Sequence, residues 1–162
     1  MTSNRIAKLT LPSDREILIE REFAAPRRLV FDAWCNRDQV AQWYGCAEMV
    51  MTSCEMDVRE GGAWRWALRM PDGSVHTFSG EYRTIQRPDR LVFTERYEPV
   101  PGSDHEVALT FTEQGGVTTM AMRLSYPSIV QRNGHLQSGM ERGLEGSLAR
   151  LEALAIGNAA AA

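Results

Sequence analysis

The chain has 162 residues, a formal net charge of -3 and 43% hydrophobic residues. That is enough chain for one domain with a sizeable core, burying roughly 70% of the unfolded surface. The mild acidity lacks the basic stripe of a nucleic-acid binder, and no apolar run reaches the length of a membrane span.

The opening residues lack the apolar stretch of a signal peptide. Cys35, Cys46 and Cys54 are odd in number and form no CxxC pair, so they suggest no disulfide framework. A cytoplasmic protein is expected, with the thiols as small buried hydrophobes.

Residues 1–14 read as a flexible lead, 15–156 as a single domain and 157–162 as a disordered tail. EILIEREFA, residues 16–24, alternates as a first strand. Pro26 then suits the first helical position, with Leu29, Val30, Ala33 and Trp34 at helical spacing. Asn36 to Gln39 has the shape of a capping box for a second short helix, which Tyr44-Gly45 stops. Alternating segments follow at 48–59, 63–70, 74–86, 90–98, 105–113 and 117–126. Short Gly, Pro and Asp turns separate them, so neighbours should pair as antiparallel hairpins.

The last element reads as one helix from about Asn133 or Ser138 to Ala155. Leu136, Met140, Leu144, Leu148, Leu151 and Ala155 make its apolar stripe, and Glu141, Arg142, Glu145 and Glu152 should face water. The fold class is therefore α+β. A curved seven-stranded antiparallel sheet wraps a long C-terminal helix, with two short helices after the first strand.

FAAPRRLVFDAWCNRDQVAQWYG, EMDVREGGAWRWALRMPDG and GMERGLEGSLARLEALA, in this helix-grip order, resemble bacterial homologues of the activator of the Hsp90 ATPase. These belong to the START-like, birch-allergen-like superfamily. The resemblance covers about residues 16–155. It implies a cavity between sheet and helix that takes a small apolar or amphipathic molecule. It also implies two alternatives: a chaperone-associated stress-response module, or a cyclase- or dehydratase-like enzyme on an aromatic or polyketide-like substrate. Members often carry tryptophan where this chain has Leu144, which implies a differently shaped cavity here.

Trp64 and Trp66 share a strand face and either fill a core or line a pocket. The candidate ligand-binding residues are Trp64, Trp66, Phe78, Tyr82, Phe93, Glu95, Phe111, Met122, Met140 and Leu144. If Phe93 points inward, alternation sends Glu95 and Tyr97 the same way, and His76, Phe78, Gly80 and Tyr82 share a face. Glu95, Tyr82 and His76 are then candidate polar contacts, an edge or bulge position being the alternative for each. Gly139, Gly143 and Gly146 flank the helical stripe, either for close approach to the sheet or to leave room for a ligand. Asp57 and Arg59 read as a clamp on one strand face, which Arg65 and Arg69 could extend. His76, His105 and His135 are far apart in sequence, and no metal, nucleotide or catalytic motif accompanies them. The expected partners are a small apolar ligand, a chaperone or a second copy of the chain. No cofactor, nucleic acid or membrane is expected.

Overall fold

The computed structural model describes residues 5–45 and 48–161; Cys46 lies outside them. Eight strands form one antiparallel sheet: β1 (Lys8–Thr10), β2 (Glu16–Phe23), β3 (Val50–Met56), β4 (Ala63–Arg69), β5 (Val75–Gln86), β6 (Arg90–Tyr97), β7 (His105–Gln114) and β8 (Val117–Ser125). Their spatial order is β1-β2-β8-β7-β6-β5-β4-β3. Four helices complete the described residues: α1 (Arg27–Cys35), α2 (Arg37–Trp43), α3 (Ile129–Leu136) and α4 (Met140–Ala161). The consecutive strands β3 to β8 pair as hairpins, while α1 and α2 carry the chain from β2 to the far edge at β3.

The sheet thus has eight strands, not seven. The extra one is β1, within the stretch expected to be a loose lead, and it pairs with β2 through Leu9 opposite Ile19. Three residues are too few for a period-two pattern to stand out in sequence. At the other end α4 runs to Ala161, because the alanine-rich tail has high helix propensity.

Pro26 is the residue before the first helical one; its ψ of 147° is extended, and α1 begins at Arg27. The Asn36 cap is present as expected, its side chain accepting the Gln39 N–H at 3.1 Å. The C-terminal element is two helices, divided at Gly139, whose φ of 82° only glycine adopts comfortably. Close packing does not explain the other two glycines, since a Cβ at Gly143 or Gly146 would meet nothing within 4 Å. Both are exposed, so they leave no interior room either.

The inner face of the sheet carries Ile17, Ile19, Phe23, Leu91, Phe93, Val107, Leu109, Phe111, Met120 and Leu124, all buried. Arg21 shares this face on β2 and is only 3% exposed. It reaches α4, with Nη2 3.2 Å from Glu145 and Nη1 3.4 Å from Glu152. The same carboxylates accept the backbone N–H groups of Ala7 and Ala24 at 2.7 and 2.8 Å. Glu145 and Glu152 therefore clamp the helix to β2, contrary to the expectation that they face water. A buried cation without a partner is costly, and that cost selects the arrangement.

On the other flank, the Ser147 hydroxyl exchanges two 3.0 Å hydrogen bonds with the Gly45 backbone. Arg150 donates to the Trp43 carbonyl. The helix is thus tied to β2 on one side and to the end of α2 on the other.

Removing Arg21 leaves two carboxylates facing an apolar strand. Arg21→Met is expected to lower the unfolding free energy by about 3 kcal/mol in urea denaturation. A loss below about 1 kcal/mol would show that the clamp does not hold α4 in place.

Candidate functional site

The aromatic residues of β4, β5 and β6 meet α1 and the end of α2 on the inner face. Trp64 and Trp66 are 2% and 3% exposed, with ring centroids 4.6 Å apart. Trp64 lies edge-on to Phe93 at 5.7 Å, and Trp66 lies edge-on to Tyr44 at 4.7 Å. Trp34, Trp64, Trp66, Tyr82, Leu91 and Phe93 surround a narrow gap that is too tight to admit a water molecule. In this state the tryptophan face fills the interior.

The polar atoms of this wall are unusual. Trp43 Nε1 donates to the Ala33 carbonyl at 2.8 Å, as a buried indole should. Trp34 Nε1, Trp64 Nε1, Trp66 Nε1 and the Tyr82 hydroxyl are equally buried and have no hydrogen-bond partner among the described residues. Native interiors satisfy nearly all such groups.

Glu95 follows Phe93 on the same face, as alternation predicted. Its Oε1 stands 3.0 Å from His105 Nε2, an ion pair whose N–H axis lies off the line to the oxygen. His105 Nδ1 lies 3.0 Å from the Ser103 carbonyl, which can only accept, so that nitrogen carries a proton. With Nε2 facing a carboxylate, the charged form of the ring is favoured. Burial pushes the Glu95 carboxyl up, but the close approach and charge of His105 outweigh it and hold it below the ordinary value. Burial pushes His105 down, and Glu95 then holds it above its ordinary value.

His105 stacks on Tyr126 with ring centroids 4.8 Å apart and lies 5.2 Å from the His135 ring of α3. The Tyr126 hydroxyl bonds His135 Nδ1. Burial, and then the charge on His105, hold His135 below its ordinary value. The histidines that stand far apart in sequence therefore include one adjacent pair, buried His105 and half-buried His135. Among the described residues no cluster of His, Cys, Asp and Glu has the makings of a metal site.

The remaining candidates are dispersed. His76 Nδ1 meets the Tyr97 hydroxyl at 2.5 Å and its Nε2 meets Ser74 Oγ at 3.4 Å, while Phe78 packs 5.1 Å from Tyr97. Met140 and Leu144 are half-buried at the start of α4. Met122 is in the core, and Phe111 lies edge-on to Phe31 of α1 at 5.5 Å.

Asp57 and Arg59 do pair, at 2.9 Å, but in the exposed turn after β3 and not on a strand. Arg65 pairs with Glu98 instead of extending that ladder. Cys35 and Cys54 are half-buried, and burial pushes the Cys35 thiol up to about 12, far from a reactive thiolate. The outer face of the sheet has an open hollow of about 920 Å³ bordered by the ion pairs Arg65–Glu98, Arg83–Glu81 and Arg96–Asp104.

The family model described as activator of Hsp90 ATPase homolog 1-like protein matches residues 24–155. The chain belongs to this family. Solved structures share its fold. A protein from Rhodobacter sphaeroides has a TM-score of 0.86 at 23% identity, covering 92% of this chain and 97% of that one. One from Nitrosomonas europaea has 0.82 at 20% identity, covering 93% and 99%. An AHSA1-like protein from Aeromonas hydrophila has 0.65 at 21% identity, covering 85% and 89%. A comparison with curated proteins yields no match. No helix among the described residues is long and apolar enough to cross a membrane.

The buried ion pair has a pH signature. Glu95 contributes stability above its ordinary value of 4.5, lost as pH falls through its depressed pKa. His105 contributes below its ordinary value of 6.5, lost as pH rises through its raised pKa. The stability lost in His105→Gln should therefore be greatest between these ordinary values and shrink at higher pH. Urea melts across that range check it, and a pH-independent penalty would mean that the pair is uncharged.

Proposed function

We propose that the protein binds a small apolar or amphipathic molecule between the inner face of the sheet and helices α3 and α4. The observation that carries this reading is the set of four buried, unpartnered polar atoms on one aromatic wall. A core that served packing alone would leave each of them at a cost of about 1–3 kcal/mol with nothing in return. A ligand with acceptor atoms would satisfy them and bury its own apolar surface against the rings.

The closed gap means that the interior opens to admit its guest. The element suited to move is α3. Polar contacts hold it: His135 to Tyr126, Gln131 to the Gly102 carbonyl, and Arg132 to the carbonyls of Ser13 and Glu16. Ile129 and Val130 on the same helix are exposed. The break at Gly139 lets α3 pivot while α4 stays clamped. On this reading Trp64, Trp66, Phe78, Tyr82, Phe93 and Glu95 form the sheet wall, with Met140 and Leu144 opposite.

The enzyme alternative needs an inward acid or base. Glu95 is inward, but His105 holds it ionised and both His105 ring nitrogens are engaged. That arrangement favours recognition over proton transfer. A chaperone-associated role has the family's description behind it, and no feature of the interior requires it.

Native mass spectrometry of protein purified from its own host should show one defined small-molecule adduct. Leu144→Trp should weaken uptake of the neutral probe Nile red about tenfold by filling the space opposite the sheet. Unchanged affinity in the folded variant removes Leu144 from the site. The absence of both an adduct and Nile red uptake in the wild type overturns the binding reading.

A further inference from the structure

The strand register brings a lone donor and a lone acceptor to the same level of the inner face. Trp64 pairs with Gly80 across β4 and β5. On β5 and β6 the pairs Ser79–Arg96 and Tyr82–Phe93 put Gly80 opposite Glu95. A Cβ at Gly80 would lie 2.8 Å from Trp64 Nε1 and 1.8 Å from the Thr94 carbonyl oxygen. The indole N–H therefore lies over the bare backbone of β5, one strand from Glu95. The backbone is distorted at the same place, where the Glu81 N–H donates to the Thr94 hydroxyl. Neighbouring strands are about 4.8 Å apart, so about 10 Å separates the Trp64 and Glu95 backbones.

The two groups are complementary and do not meet. Trp64 Nε1 is a donor without an acceptor. Glu95 has His105 on Oε1 and its side chain is 16% exposed, and Oε2, which takes no hydrogen bond from the described residues, is not sealed from solvent. The charges around them restrict what fits between. An anion would meet the Glu95 carboxylate and find no uncommitted buried cation. Arg21 is bound to Glu145 and Glu152, and Arg132 is turned to the Ser13 and Glu16 carbonyls. A cation would add an excess charge where His105 already balances Glu95, and an unbalanced buried charge is strongly disfavoured. A neutral hydroxyl fits both sides, donating to Glu95 Oε2 and accepting from the indole N–H.

We infer that the interior takes a neutral hydroxyl-bearing aromatic or polycyclic molecule, its hydroxyl between Glu95 and Trp64, and selects against fatty acids and other carboxylates. This rests on the reading of the interior as a binding site. The remaining unpartnered groups, Trp34 Nε1, Trp66 Nε1 and the Tyr82 hydroxyl, suit a carbonyl or ether oxygen elsewhere on the same guest.

Isothermal titration calorimetry with four matched probes tests the assignment: naphthalene, 2-naphthol, 2-naphthoate and 2-(aminomethyl)naphthalene at neutral pH. 2-Naphthol is expected to bind at least about tenfold more tightly than each of the others, as a hydrogen bond to a charged acceptor implies. Glu95→Leu should erase the difference between 2-naphthol and naphthalene. Trp64→Phe, which removes the donor but keeps a ring, should reduce that difference and serves if Glu95→Leu does not fold. Equal affinity for 2-naphthol and naphthalene, or a preference for the naphthoate, overturns the hydroxyl seat and leaves the binding reading standing. No binding of any probe to the folded wild type overturns both.

Discussion

The placement of α4 depends on one buried cation. A sheet with one wholly apolar face needs a cover, and a single helix can lean over either half of it. Arg21 decides which. Its burial on β2 requires two carboxylates from α4, and those carboxylates also satisfy the N–H groups of Ala7 and Ala24. Ser147 and Arg150 tie the opposite flank to the end of α2. With the helix fixed between these anchors, the inner face at β4 to β6 is left to fill its own space. It does so with aromatic rings, whose large flat surfaces cover a bent sheet without a second long helix.

That division of labour separates two kinds of polar burial in one interior. The Arg21 cluster is closed: donors and acceptors are matched between β2, the N-terminal segment and α4. The wall of Trp34, Trp64, Trp66 and Tyr82 is open: its donors face rings and a gap too small for water. The Glu95–His105 pair stands between these extremes, electrically balanced yet with one carboxylate oxygen unengaged. Stability alone explains the first arrangement. The second is not explained by stability, and it is the observation on which the proposed binding site rests.

The strands from β3 to β8 were legible because period-two alternation and glycine-rich turns are strong local signals. The same parity placed Glu95 inward. Applied to His105 with Val107 and Leu109, or to Tyr126 with Met122 and Leu124, it would have found the rest of the polar cluster. Sequence separation hid it, because β6, β7, β8 and α3 meet there only through sheet pairing. Arg21 was hidden differently, since a charged residue among alternating apolar ones reads as an edge or a bulge until its partners on α4 are seen. The break at Gly139 was masked by the leucines and methionine that continue the helical stripe across it. β1 was too short to register at all.

A closed interior and a ligand-binding role are compatible if closure rests on contacts that are easily exchanged. Of the contacts that hold α3, the Gln131 bond is exposed and contributes about 0.5–1.5 kcal/mol, while Arg132 and Tyr126 are buried and hold it more firmly. The clamps on α4 pair their buried cation with two carboxylates, where Arg132 meets only neutral carbonyls. Stability in the molecule is therefore uneven, with a firm sheet and helix framework carrying a short helix beside the Glu95–His105 end of the sheet. Local opening free energies in such elements fall well below the global value. Under the proposed binding role a guest would supply only that local increment, and the unpartnered indoles would return part of it on gaining acceptors.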